Sequence, residues 1–117
     1  KNIYVVPPEN NSSGQLIFRD NTQPMIRDKY VLIMIDAIVS GQSARRAMEC
    51  NTYYGGKIAG IAAIFSTYDE LDGIRISHLF GKYDLPDYQV ADHHDCPLCK
   101  AGVRLDGLAN CYGYSVL

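Results

Sequence analysis

Two continuous apolar runs, Val31-Leu32-Ile33-Met34-Ile35 and Ile58-Ala59-Gly60-Ile61-Ala62-Ala63-Ile64-Phe65, flank one helix-forming stretch. A run without polar alternation is the pattern of a strand buried on both faces, as at the centre of a parallel sheet. Between the runs, Ser43 to Tyr53 sets Ala44, Ala47 and Met48 on one helical face, and Gly55-Gly56 supplies a stop. Strand, helix and parallel strand make one βαβ unit, whose crossover is right-handed. The pattern predicts an α/β fold, a parallel sheet with flanking helices, with 31–35 as a central strand.

The junction into the helix is chemically specific. The first run ends in Asp36, passes Ala37-Ile38-Val39, and turns through Ser40-Gly41-Gln42-Ser43. Unpaired amides at a helix N-terminus attract an anion, and small side chains let it approach the backbone. An acid at the C-terminal end of a parallel strand sits where open α/β sheets bind ligands. The same residues also suit a plainer role, with Ser40 or Ser43 capping the helix and Asp36 interacting with its dipole.

Ile35-Asp36-Ala37-Ile38-Val39-Ser40-Gly41-Gln42-Ser43 resembles the loop of the type I phosphoribosyltransferases, in which a strand leads through two acids and two apolar residues into a Thr/Ser/Gly-rich turn. Asp95-Cys96-Pro97-Leu98-Cys99-Lys100-Ala101-Gly102-Val103 is similar to a C-terminal Cys-Pro-x-Cys-Lys segment of many orotate phosphoribosyltransferases. The resemblance spans about residues 30–117 and implies a phosphoribosyltransferase type I-like core. It further implies transfer of ribose 5-phosphate from phosphoribosyl pyrophosphate (PRPP) to a nucleobase, an orotate-like pyrimidine, with Mg²⁺ and release of pyrophosphate. Asp36 would hold the ribose as the catalytic acid, and residues 36–43 would form the PRPP loop. The family's members are larger and dimeric, so the resemblance implies a homodimer and a chain lacking an N-terminal half. Ile35 stands where the family has its first acid, and Val39 where it has a hydroxyl residue. Thr67 takes the place of an arginine that contacts the base, and a neutral hydroxyl cannot make that forked, charge-assisted contact. Pro7 to Gln15, aligned with the family's catalytic loop, contains no Lys, Arg or His. These departures keep a second reading in view, a non-catalytic PRPP- or nucleotide-binding module.

At 117 residues the chain reads as one domain, 1–117. The net charge of −2 implies no general affinity for nucleic acid, and no apolar run approaches the roughly 18 residues of a membrane span. The partners expected are therefore small-molecule substrates. The four cysteines are expected to be reduced thiols of a cytoplasmic protein, with Cys50 and Cys111 as small core residues. His93-His94-x-Cys96-x-x-Cys99 is the best metal signal, since Cys96 and Cys99 can supply two zinc thiolates and a nearby His or Cys111 can complete the set. A third reading follows, a zinc-stabilised interaction domain. A Cys-x-x-Cys pair also admits redox chemistry, although this one does not open a helix after a strand. Shorter strands are expected at Ile3–Val6, Gln15–Arg19, Ile74–Phe80 and Asp87–Val90, with a polar loop at 68–73 and an irregular tail from Asp92.

Overall fold

A computed structural model describes residues 1–117, whose contacts divide them into two units, Lys1–Asp87 and Tyr88–Leu117, where the length alone reads as one domain. The first unit starts with an exposed segment. Ile3 to Val6 has strand-like composition but no neighbour to pair with, and it forms no strand. Strand β1 (Glu9–Asn10) instead pairs antiparallel with β2 (Leu16–Ile17). Asn11 closes the hairpin by accepting the amides of Ser13 and Gln15 on its side-chain oxygen, each at 2.9 Å. Arg19 then grips the Glu9 carboxylate through two nitrogens at 2.8 and 2.7 Å.

The βαβ unit forms where the apolar runs place it. Strand β3 (Tyr30–Ile38) leads into helix α1 (Gln42–Tyr53), and β4 (Lys57–Ser66) returns parallel to β3. A short β5 (Glu70–Leu71) turns back antiparallel onto β6 (Ile74–Gly81), which lies parallel to β4. The strand order is β3-β4-β6-β5, so the sheet is mixed rather than wholly parallel. Ile33, Ile61 and Ile76 align across the three long strands and are buried together with Ala44 and Leu71. A second cluster, Phe18, Ile26 and Cys50, seats the N-terminal hairpin on α1, with Tyr54 edge-on to Phe18 at 5.5 Å.

Two expectations are corrected. Strand β3 lies at the edge of the sheet, not at its centre. It is buried on one face only, since Tyr30, Leu32 and Met34 are exposed, as are Ile64 on β4 and Leu79 on β6. The cause is the number of helices. The first unit has one α-helix, which covers the face carrying Ile33, Ile61 and Ile76, and none lies on the other. A parallel sheet normally has both faces covered.

In the second unit, the segment from Asp92 is more regular than expected. It contains a single helical turn, α2 (Pro97–Lys100), and a hairpin of β7 (Gly107–Asn110) with β8 (Gly113–Val116). Residues 87–90 form no strand. Cys111 sits exposed at the hairpin turn rather than in a core. No helix in the chain is long and apolar enough to cross a membrane.

Candidate functional site

The turn between β3 and α1 is built around Gly41. Its φ of 79° lies in the left-handed region, which a residue with a Cβ enters only at a cost. That conformation swings the chain from the strand into the helix. A Cβ at Gly41 would lie 3.0 Å from Leu71 Cδ1 and 3.4 Å from an Arg45 guanidinium nitrogen, so the turn packs tightly against its surroundings. Ala37, Ile38, Val39, Ser40, Gly41, Ser43 and Ala44 line a small concavity of about 120 Å³. The helix begins at Gln42 with no side-chain cap, and its first intrahelical bond runs from the Arg45 amide to the Gly41 carbonyl at 2.9 Å. The amides of Ser43 and Ala44 therefore open the helix without an intrahelical acceptor, and both residues line the concavity. The expected capping by Ser40 is weak, its Oγ lying 3.5 Å from the Gln42 amide.

Most of the expected loop is thus gathered at one place, with two exceptions. Asp36 and Gln42 do not line the concavity. Asp36 is exposed and accepts the Ala37 amide on Oδ1 at 2.8 Å. Thr67 is beside the loop but is engaged in holding it. Its amide donates to the Ile38 carbonyl at 3.0 Å, and its hydroxyl donates to the Val39 carbonyl at 2.8 Å.

The sequence reading missed two groups that the fold assembles, one beside this turn and one on β6. Arg45, one turn into α1, pairs with Asp72 through contacts of 3.0 and 3.3 Å and sets a cation next to Gly41. Its place four residues after the glycine was the available signal. Asp69 pairs with His78 Nε2 at 2.8 Å, and together with Arg75, Ile76 and Ser77 they line a wider concavity of about 360 Å³. His78 Nδ1 is buried and has no partner. An ionisable residue at an inward-facing position of β6 was the sequence sign of this pair.

In the second unit, Asp92, His93 and His94 place their ligand atoms within 4.8 Å of one another, all exposed. The two imidazoles lie 3.8 Å apart, and Asp92 accepts the His94 amide at 2.9 Å. Cys96 and Cys99, the expected zinc thiolates, are outside that group. They share the α2 turn, with Cys96 immediately before it and Cys99 within it. The Cys96 thiol is held below the ordinary thiol range, first by the neighbouring Cys99 amide and then by the Cys99 thiol. Cys99 is correspondingly raised, by the Cys96 thiol and by the charge on it. Burial pushes Cys50 up, consistent with a packing role.

Compared with known protein families and with curated proteins, the chain matches no family model and no curated sequence.

Proposed function

We propose that the β3–α1 turn binds the 5-phosphate of PRPP and that the chain is phosphoribosyltransferase-like, acting on an orotate-like pyrimidine. The observation that carries this reading is the concavity lined by residues 37–41, 43 and 44, at the C-terminal end of a parallel strand and the start of a helix. A phosphate there accepts the Ser43 and Ala44 amides and the Ser40 and Ser43 hydroxyls, in the field of the helix N-terminus. The nearby Arg45 adds positive charge.

In the proposed reaction the bond from the ribose anomeric carbon to pyrophosphate breaks and a bond to the base nitrogen forms. The base nitrogen loses its proton to solvent. The protein's part is chiefly to fix the ribose phosphate so that the anomeric carbon faces the base. Asp36 accepts from a ribose hydroxyl through the oxygen not bonded to Ala37. That same oxygen suits Mg²⁺, which commonly takes one or two carboxylates together with substrate phosphates and would offset charge on the departing pyrophosphate. A homodimer belongs to this reading, and the uncovered apolar face of the sheet is area that a partner would bury.

A second reading, binding without turnover, is favoured by Thr67. Its hydroxyl is committed to the Val39 carbonyl, and it offers no cation to a base.

The test is thermal unfolding with PRPP and Mg²⁺, with ribose 5-phosphate, and with inorganic pyrophosphate alone. A ligand of the folded state adds about 2.7 kcal/mol at a hundredfold excess over its dissociation constant. Stabilisation by both ribose phosphates, lost in Ser43→Glu and weakened in Asp36→Asn, is the expected result. Absence of any shift at millimolar ligand overturns both readings. Pyrophosphate release with orotate present separates them, because the module binds PRPP and releases none.

A further inference from the structure

The chain bends sharply at Asp92–Asp95, where the Asp95 amide donates to the Asp92 carbonyl at 2.9 Å and closes a β-turn. The two central residues of that turn are His93 and His94. Asp92 reinforces it from the side chain, with Oδ1 accepting the His94 amide at 2.9 Å. An Asp in the first position of a turn commonly does this, so the acid alone has a structural reason to be there. The histidines have none of that kind. Imidazole is not among the turn-forming side chains, and both histidines are exposed, His93 to 81%.

The turn sets three metal-ligating groups side by side. One donor atom from each of Asp92, His93 and His94 lies within 4.8 Å of the others. His93 Nδ1 is 3.5 Å from Asp92 Oδ1, and the two imidazole centroids are 3.8 Å apart. Donors held about 2.0–2.1 Å from a tetrahedral ion lie about 3.3–3.4 Å from one another. One pair is thus near that separation, and rotation of the exposed side chains brings in the third donor. The Asp92 carboxylate is oriented by the His94 amide and keeps its second oxygen for an ion, as ligating carboxylates are commonly held by an outer hydrogen bond. Asp95, the other acid of the turn, is taken by the Lys100 ammonium, whereas Asp92 pairs with the His93 ring.

We propose that Asp92, His93 and His94 form a surface site for one late first-row divalent ion such as Zn²⁺ or Ni²⁺. Two imidazoles and one carboxylate suit these borderline ions, whereas Mg²⁺ and Ca²⁺ take oxygen ligands. Three protein donors leave at least one coordination position to water or a small anion, so the site is open. It is also exchangeable rather than structural, because the turn is closed by its own two hydrogen bonds. The ion is held by nitrogen and oxygen, and the thiols of Cys96 and Cys99 lie outside the group.

The experiment strips the full chain of metal with a chelator, keeps the thiols reduced, and titrates it calorimetrically with Zn²⁺ and with Ni²⁺. The expected result is one ion per chain. His93→Gln and His94→Gln should each weaken it at least about tenfold. Asp92→Asn, which keeps the turn, should weaken it less. The double variant Cys96→Ser/Cys99→Ser should bind as the parent does, as should His78→Gln. Co²⁺ should give only the weak visible bands of nitrogen and oxygen ligation, without the intense near-ultraviolet band of a thiolate. The substituted ligands are exposed, and circular dichroism should be unchanged by substitution or by chelation. Three outcomes overturn the proposal. One is absence of binding at submillimolar ion. Another is undiminished affinity in His93→Gln/His94→Gln. The third is loss of binding in the double serine variant, together with a thiolate band for Co²⁺ in the parent, which places the ion on the cysteines.

Discussion

Replacing Gly41 with Ala tests whether the phosphate-binding turn is held by its own backbone or by what packs against it. Two costs add. The left-handed backbone at φ 79° costs an L residue about 1–2 kcal/mol, partly offset by about 0.4–1 kcal/mol from the stiffer unfolded chain. The new Cβ also lies 3.0 Å from Leu71 Cδ1. That methyl belongs to a side chain only 3% exposed in the main core, so it has little room to withdraw. Overpacking a core typically costs about 1–3 kcal/mol. The total is about 1–4.5 kcal/mol. Gly14 isolates the first term, since it has φ 74° and a Cβ added there would meet nothing within 4 Å. Gly14→Ala should therefore cost no more than about 1.5 kcal/mol. Urea unfolding followed by the helical circular dichroism signal, which comes mainly from α1, reads both differences as shifts in midpoint at constant slope. Equal shifts for the two variants would refute the packing argument. If Gly41→Ala unfolds as the parent does, the strain argument fails as well.

Three further outcomes follow from the packing and polar contacts. Ile61→Ala, at a site 1% exposed between Ile33 and Ile76, should cost about 3–5 kcal/mol in the same unfolding assay. Thr67→Val removes the donor to the Val39 carbonyl and should cost about 1 kcal/mol, with PRPP stabilisation weakened although the residue touches no phosphate. The Glu9 carboxyl is held below its ordinary range by hydrogen bonding and charge from Arg19. Its small contribution is therefore present above the unfolded-state pKa and is lost as pH falls through the depressed folded value. A carbon-detected NMR titration should place the Glu9 midpoint below that of other exposed glutamates and return it to the ordinary range in Arg19→Gln.

The βαβ unit was legible because continuous apolar runs and a Ser/Gly break are local signals. The position of β3 within the sheet was not. A run such as Val31–Ile35 reads as buried on both faces, but burial depends on how many helices reach the second face, and the first unit has one α-helix. The segment 68–73 read as a polar loop because, after Tyr68, Leu71 is the single apolar residue among three acids and a glycine. In the fold that one side chain is among the most buried, and Glu70–Leu71 pairs with Ile74–Arg75 to place it under the turn. Ile3–Val6 failed in the opposite way, having strand-forming residues but no partner strand to supply hydrogen bonds.

The candidate site divides along the same line. Its lining, Ala37 to Gly41 with Ser43 and Ala44, falls in one short stretch of sequence and could largely be read there. Its supports come from far along the chain. Thr67 bonds the Ile38 and Val39 carbonyls across 29 and 28 residues, and Asp72 holds Arg45 across 27. Leu71 lies against Gly41. All three supporting residues belong to the connection that follows β4, so the shape of the turn after β3 is set by a segment with no ligand-like signal of its own. A turn whose geometry were purely local would keep its anion affinity when that connection is altered. Here the same substitutions that loosen Thr67 or crowd Leu71 should lower stability and phosphate binding together. A variant that loses one without the other would show that the turn and its supports are uncoupled.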